Sequence, residues 1–128
     1  LILKLSIVHD IKAITDQVAN DIEAISINAV PWKKIFPTTI SPLAHLGGGG
    51  VAGKVVQPLT WKLLEDLAGI TTIPVIGPSV WNYEDIAEIR KRGAKAVSFG
   101  SVFMNYPWRP TFFTRKDMKH YGVESTRT

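Results

Sequence analysis

The sequence is 128 residues long, 45% hydrophobic and 20% charged, a balance that suits one globular domain and excludes a disordered chain. No apolar run reaches the ~18 to 20 residues that cross a bilayer, and the start LILKLSIVHD lacks the features of a signal peptide, so a cytoplasmic protein without a membrane span is expected. The absence of cysteine excludes disulfides and thiolate metal sites, no metal is expected, and the net charge is +4.

Four aliphatic or β-branched runs, at residues 1–6 (LILKLS), 24–30 (AISINAV), 73–77 (IPVIG) and 96–100 (AVSFG), read as buried strands. Helical spacing fills the intervals 10–19, 57–68 and 83–92, the last with Ile86 and Ile89 on one face, Asn82 as its cap and Gly93 just past its end. The alternation β-α-β-α-β-α-β predicts parallel strands and an α/β fold, in either an open doubly wound sheet or a closed barrel.

Residues 31–53 form a long connection with three prolines and the glycine run Gly47 to Gly50. A loop of that length at the C-terminal end of a strand is where α/β folds place ligands. Residues 107–128 read as a basic C-terminal tail, in which Arg109, Arg115, Lys116, Lys119 and Arg127 outnumber Asp117 and Glu124. Without the aromatic and basic interleaving of a nucleic-acid module, the tail is read as a solvated terminal helix, and no nucleic-acid partner is expected.

Gly48, Gly50 and Gly53 match G-x-G-x-x-G in form, but about sixteen residues separate them from the preceding strand, and the next strand carries no carboxylate for a ribose. The segment from Gly48 to Lys54 approaches a phosphate loop, yet position 55 is valine where Mg²⁺ binding needs Ser or Thr. Two readings remain open from the residues: glycines that let backbone approach a flat ring or phosphate, or glycines that make a tight turn.

Taken together, GGGGVAGKVVQPLTWKLLEDLA, IPVIG and GAKAVSFGSVF, in this order and spacing, resemble the C-terminal half of the dihydroorotate dehydrogenases. The resemblance runs from the strand bearing Lys4 to Tyr106. It implies an FMN-binding (β/α)8 TIM barrel of which this chain supplies strands 5 to 8, a partial domain over 1–128. Lys4 corresponds to the lysine at the flavin N1 and O2 edge, where hydride transfer leaves negative charge. Asn28 corresponds to the amide that binds dihydroorotate and orotate, with Ala29 standing where a hydroxyl residue is common. Gly49, Gly50 and Gly53 correspond to the flavin-contacting loop, and Gly100 and Ser101 to half of the phosphate site. The other half has paired glycines in the family; here Ser79 and Val80 stand in that place, and Ser79 is expected to donate its N–H and hydroxyl, aided by the following helix N-terminus.

The implied reaction is oxidation of dihydroorotate to orotate in pyrimidine biosynthesis, with hydride passing to FMN. The family's base, Ser or Cys, belongs upstream of Leu1, so no catalytic base is assigned within the chain, and His9, His45 and His120 are read as loop or tail residues. A barrel of this kind needs ~250 residues. A segment completed by a missing N-terminal half, with a homo-oligomer also open, is the expected form. Rival readings are a related flavin barrel of the dihydropyrimidine dehydrogenase or tRNA dihydrouridine synthase kind, and a non-catalytic phosphate-binding half-barrel.

Overall fold

The computed structural model describes residues 1–120, for His120 the backbone alone; the rest of the tail, with Glu124 and Arg127, lies outside the described residues. The elements run β1 (Ile2–Leu5), α1 (Ile11–Val18), β2 (Ala24–Ile27), β3 (Val30–Pro31), α2 (Trp32–Ile35) and β4 (Gly50–Val51). They continue with α3 (Gln57–Ile70), β5 (Val75–Gly77), α4 (Tyr83–Lys91), β6 (Ala96–Val97), α5 (Val102–Asn105) and α6 (Arg109–His120).

β1, β2, β5 and β6 form one sheet in that order, every pair parallel. Each strand of this sheet therefore lies beside its predecessor in the chain, with no reversal of order. A doubly wound sheet requires such a reversal, so of the two α/β layouts open from the sequence the arrangement fits part of a barrel.

The register sets Leu3, Ile25 and Val75 in one row and Lys4, Ser26, Ile76 and Ala96 in the next. Side chains alternate between faces, so the first row meets the helices, where Leu63, Leu64, Leu67, Ile86 and Ile89 complete the core. The second row has no helix over it. Ile2, on that face, is 59% exposed, whereas a parallel sheet ordinarily buries both faces.

Local chemistry explains the helix ends. Asp10 accepts from the Ala13 N–H at 3.0 Å and starts α1. α4 stops in a Schellman turn: Gly93 adopts φ +106°, its N–H donates to Arg90 at 3.0 Å, and the Ala94 N–H donates to Ile89 at 3.1 Å.

Three expectations change. The strand expected over 24–30 ends at Ile27, because β1 beside it stops at Leu5, and Val30 turns away to pair with Val51. The strand expected over 96–100 ends at Val97, although the Ser98 N–H still reaches the Gly77 carbonyl at 2.9 Å. The connection 31–53 is itself folded: β3 and β4 make an antiparallel ribbon, Trp32 stacks on Phe36 at 4.6 Å, and its indole N–H donates to the Thr39 carbonyl at 3.0 Å.

The tail is more than a solvated helix. α6 sets Phe113, 5% exposed, into the core against the rings of Tyr83 and Phe99. Asp117 receives both guanidinium nitrogens of Arg90, at 3.0 and 2.7 Å, which fastens α6 to α4.

Candidate functional site

A cleft of about 310 Å³ opens at the C-terminal ends of the four parallel strands, lined by Lys4, Asn28, Gly53, Ser79, Gly100 and Ser101 among others. These are six of the eight positions that the sequence singles out for cofactor and substrate. They are brought together from five separate stretches of chain: Lys4 lies near the end of β1, Asn28, Ser79 and the Gly100–Ser101 pair follow strands of the same parallel sheet, and Gly53 follows the β3–β4 ribbon. The other two lie elsewhere: Gly49 borders a second groove with Trp32 and Thr39, and Gly50 packs on Ala29, whose Cβ would lie 2.9 Å from a Cβ at Gly50.

Lys4 projects from the uncovered face beside its register partner Ser26. Among the described residues its side chain makes no ion pair or hydrogen bond, so its charge is available to a ligand. Asn28 directs its side-chain oxygen to the Ala29 N–H at 2.9 Å, which leaves the amide NH₂ as the group presented to the cleft. The acceptor half of the amide is thus engaged by the chain itself, a restriction that residue type alone does not disclose.

Gly53 has φ +98° and ψ −161°, a region open only to glycine. A Cβ there would lie 3.1 Å from Trp81 Cζ2 and 3.3 Å from Ser101 Oγ. The backbone conformation itself calls for glycine here, and the atoms that crowd the position belong to the two other loops of the cleft.

The loop after β5 has Ser79 at φ +61°, the one non-glycine residue with positive φ among the described residues. Where the family has paired glycines, the serine adopts the left-handed conformation itself, while Val80 is buried without a positive φ. No acceptor among the described residues takes the N–H groups of Ser79, Val80, Gly100 or Ser101. Successive free N–H groups at a left-handed residue form a concavity suited to an anion.

The Ser79 hydroxyl oxygen accepts from the Thr60 hydroxyl at 3.1 Å. One detail differs from expectation. The N-terminus of α4 is already occupied: the Asp85 carboxylate accepts from the N–H groups of Trp81 at 2.8 Å and Asn82 at 2.9 Å, so that helix end offers an anion little.

His9 and His45 stand apart from the cleft. His9 accepts the Ser6 N–H at 3.1 Å through Nδ1 in the turn after β1, and His45 lies exposed in the connection 31–53. Gln57, Thr60, Trp61, Trp81 and Asp85 surround the Ser79 loop and were not legible as site residues. The signal that marks the first three is their i, i+3, i+4 spacing at the start of α3, with polar atoms on a helix face that also carries the buried Leu64.

The sequence matches no family model. It is 32% identical over 103 residues to dihydroorotate dehydrogenase A (fumarate) of Lactiplantibacillus plantarum, covering 77% of this chain and 34% of that protein. Over 118 residues it is 30% identical to the catalytic subunit of dihydroorotate dehydrogenase B (NAD(+)) of Archaeoglobus fulgidus, covering 89% of this chain and 38% of that one. The chain belongs to the dihydroorotate dehydrogenase family. A third relative, the B-type catalytic subunit of Saccharolobus solfataricus, is 26% identical over 99 residues. The chain spans about a third of the length of these dihydroorotate dehydrogenases, 34% of the first and third. Among the described residues no helix is long and apolar enough to cross a membrane.

Proposed function

We propose that the chain is the C-terminal half, strands 5 to 8, of an FMN-dependent barrel that oxidises dihydroorotate to orotate in pyrimidine biosynthesis. The observation that carries this reading is the convergence of Lys4, Asn28, Gly53, Ser79, Gly100 and Ser101 on one cleft. The uncovered sheet face supports completion by a preceding half, because such a face is stable only when another layer buries it.

The residues fit a phosphate-bearing flavin. The free N–H groups of Ser79, Val80, Gly100 and Ser101 offer donors to a phosphate, and Gly53 removes a side chain where a flat ring requires room. When bound, FMN supplies the acceptor for the hydride that leaves dihydroorotate. Lys4 contributes a fixed positive charge at the floor of the cleft, where it favours negative charge developing on a neighbouring ring. The Asn28 NH₂ donates to a carbonyl oxygen of the pyrimidine and orients it. The group that takes the substrate proton comes, in this reading, from the part of the barrel preceding Leu1.

The test is the visible spectrum of the purified natural full-length protein and the identity of any cofactor released on denaturation. Oxidised-flavin bands with FMN in the supernatant support the proposal. A folded, colourless protein that gains no flavin on incubation with FMN contradicts it, and favours a non-catalytic phosphate-binding half-barrel.

A further inference from the structure

Three side chains of α3 converge on the turn that follows β5. Gln57 Nε2 donates to the Ser79 carbonyl at 2.6 Å, Thr60 Oγ1 meets Ser79 Oγ at 3.1 Å, and Trp61 Nε1 donates to the Pro78 carbonyl at 3.1 Å. Positions 57, 60 and 61 share one helix face, so a single rigid element engages two consecutive residues of the turn. Gln57 Nε2 also donates to Asp85 Oδ2 at 2.9 Å, and that same oxygen receives the N–H groups of Trp81 and Asn82.

The consequence is selective. The carbonyls of Pro78 and Ser79 and the N–H groups of Trp81 and Asn82 are held, while those of Ser79 and Val80 are left free beside the cleft. A serine at φ +61° pays a steric penalty that glycine does not, and it persists there only if its surroundings fix it.

We propose that Gln57 is a positioning residue that, with Thr60 and Trp61, holds Ser79 in the left-handed conformation and so aims the Ser79 and Val80 N–H groups at a phosphate. The α3 clamp thereby does for a serine what intrinsic flexibility does for glycine. It also links the Gly53 loop, four residues before Gln57, to the phosphate-side loop. This inference rests on the reading that the cleft takes a phosphate-bearing flavin.

The test compares FMN with riboflavin, which lacks only the phosphate, as ligands of the full-length apoprotein, with dissociation constants read from flavin fluorescence. The variants are Gln57→Ala, Ser79→Gly and the double substitution. The parent binds FMN more tightly than riboflavin, and Gln57→Ala shrinks that preference about tenfold. In the Ser79→Gly background the same substitution changes it by less than about threefold, because glycine adopts the conformation unaided. Trp61→Phe, which keeps the ring and removes the donor to Pro78, lowers the preference in the same direction and is rescued by the same glycine.

A parent that binds FMN and riboflavin equally would overturn the phosphate reading and this inference with it. A parent that prefers FMN, with the preference intact in Gln57→Ala and in Trp61→Phe, would overturn the inference alone. Equal losses with Ser79 and with Gly at position 79 would also overturn it, since Gln57 would then act by a route other than the serine conformation.

Discussion

Gly77 and Ile89 touch so closely that a Cβ on the glycine would lie 2.6 Å from Ile89 Cδ1, with Ala94 Cβ 2.9 Å away on the other side. β5 and α4 are therefore packed backbone to side chain, two residues before Ser79. Gly77→Ala is expected to destabilise the fold by about 1 to 3 kcal/mol through overpacking, measured as a lower midpoint of urea unfolding. An unchanged midpoint would mean that the two elements separate freely.

Two further glycines predict opposite outcomes. Gly93 combines φ +106° with a would-be Cβ only 2.5 Å from Ala68 Cβ, so Gly93→Ala loses stability on both counts. Gly69 lies inside α3 with nothing within 4 Å of a Cβ, so Gly69→Ala gains about 0.5 to 1 kcal/mol. Thermal unfolding of the pair checks the assignment, and a common sign for both would contradict it.

Leu67 is fully buried between α3 and the sheet. Leu67→Ala is expected to cost about 2 to 5 kcal/mol, as lost burial plus the cavity left behind. Chemical denaturation reads this directly, and a loss below the range would show that the core collapses around the gap.

Much of this architecture was legible in the sequence, for physical reasons. Ile25 and Val75 are apolar because helices cover their side of the sheet, and Asn82 and Gly93 are residues whose backbone preferences announce a helix's start and stop. The ribbon of β3 and β4 was hidden because two-residue strands have no period to read. Lys4, Asn28 and Gly53 were singled out by the family resemblance, and all three line one cleft. The candidate site was illegible where the role comes from a contact between distant segments, as for Gln57 with Ser79 or Gly53 with Trp81. Gly49 shows the converse: a glycine in a suggestive run, at φ +87°, that packs against Leu43 and not on the cleft.

Two polar side chains of the cleft, Lys4 and Asn28, predict separable effects. Asn28→Ala removes the amide donors and is expected to weaken orotate binding about tenfold, with flavin affinity unchanged. Lys4→Met keeps the length and removes the charge, and is expected to slow reduction of the bound flavin by about 10²-fold or more while orotate still binds. Orotate titration followed by flavin absorbance and stopped-flow reduction distinguish the two. Loss of orotate binding in Lys4→Met with normal reduction would reverse the proposed roles.

In the proposed function the cleft belongs to a flavin enzyme acting on dihydroorotate. The most direct test of this claim is anaerobic addition of dihydroorotate to the purified full-length protein while the oxidised-flavin bands are recorded. Bleaching of those bands with formation of orotate is the predicted result. Bands that persist with dihydroorotate but disappear with dithionite would contradict the claim, leaving a flavin barrel with another substrate.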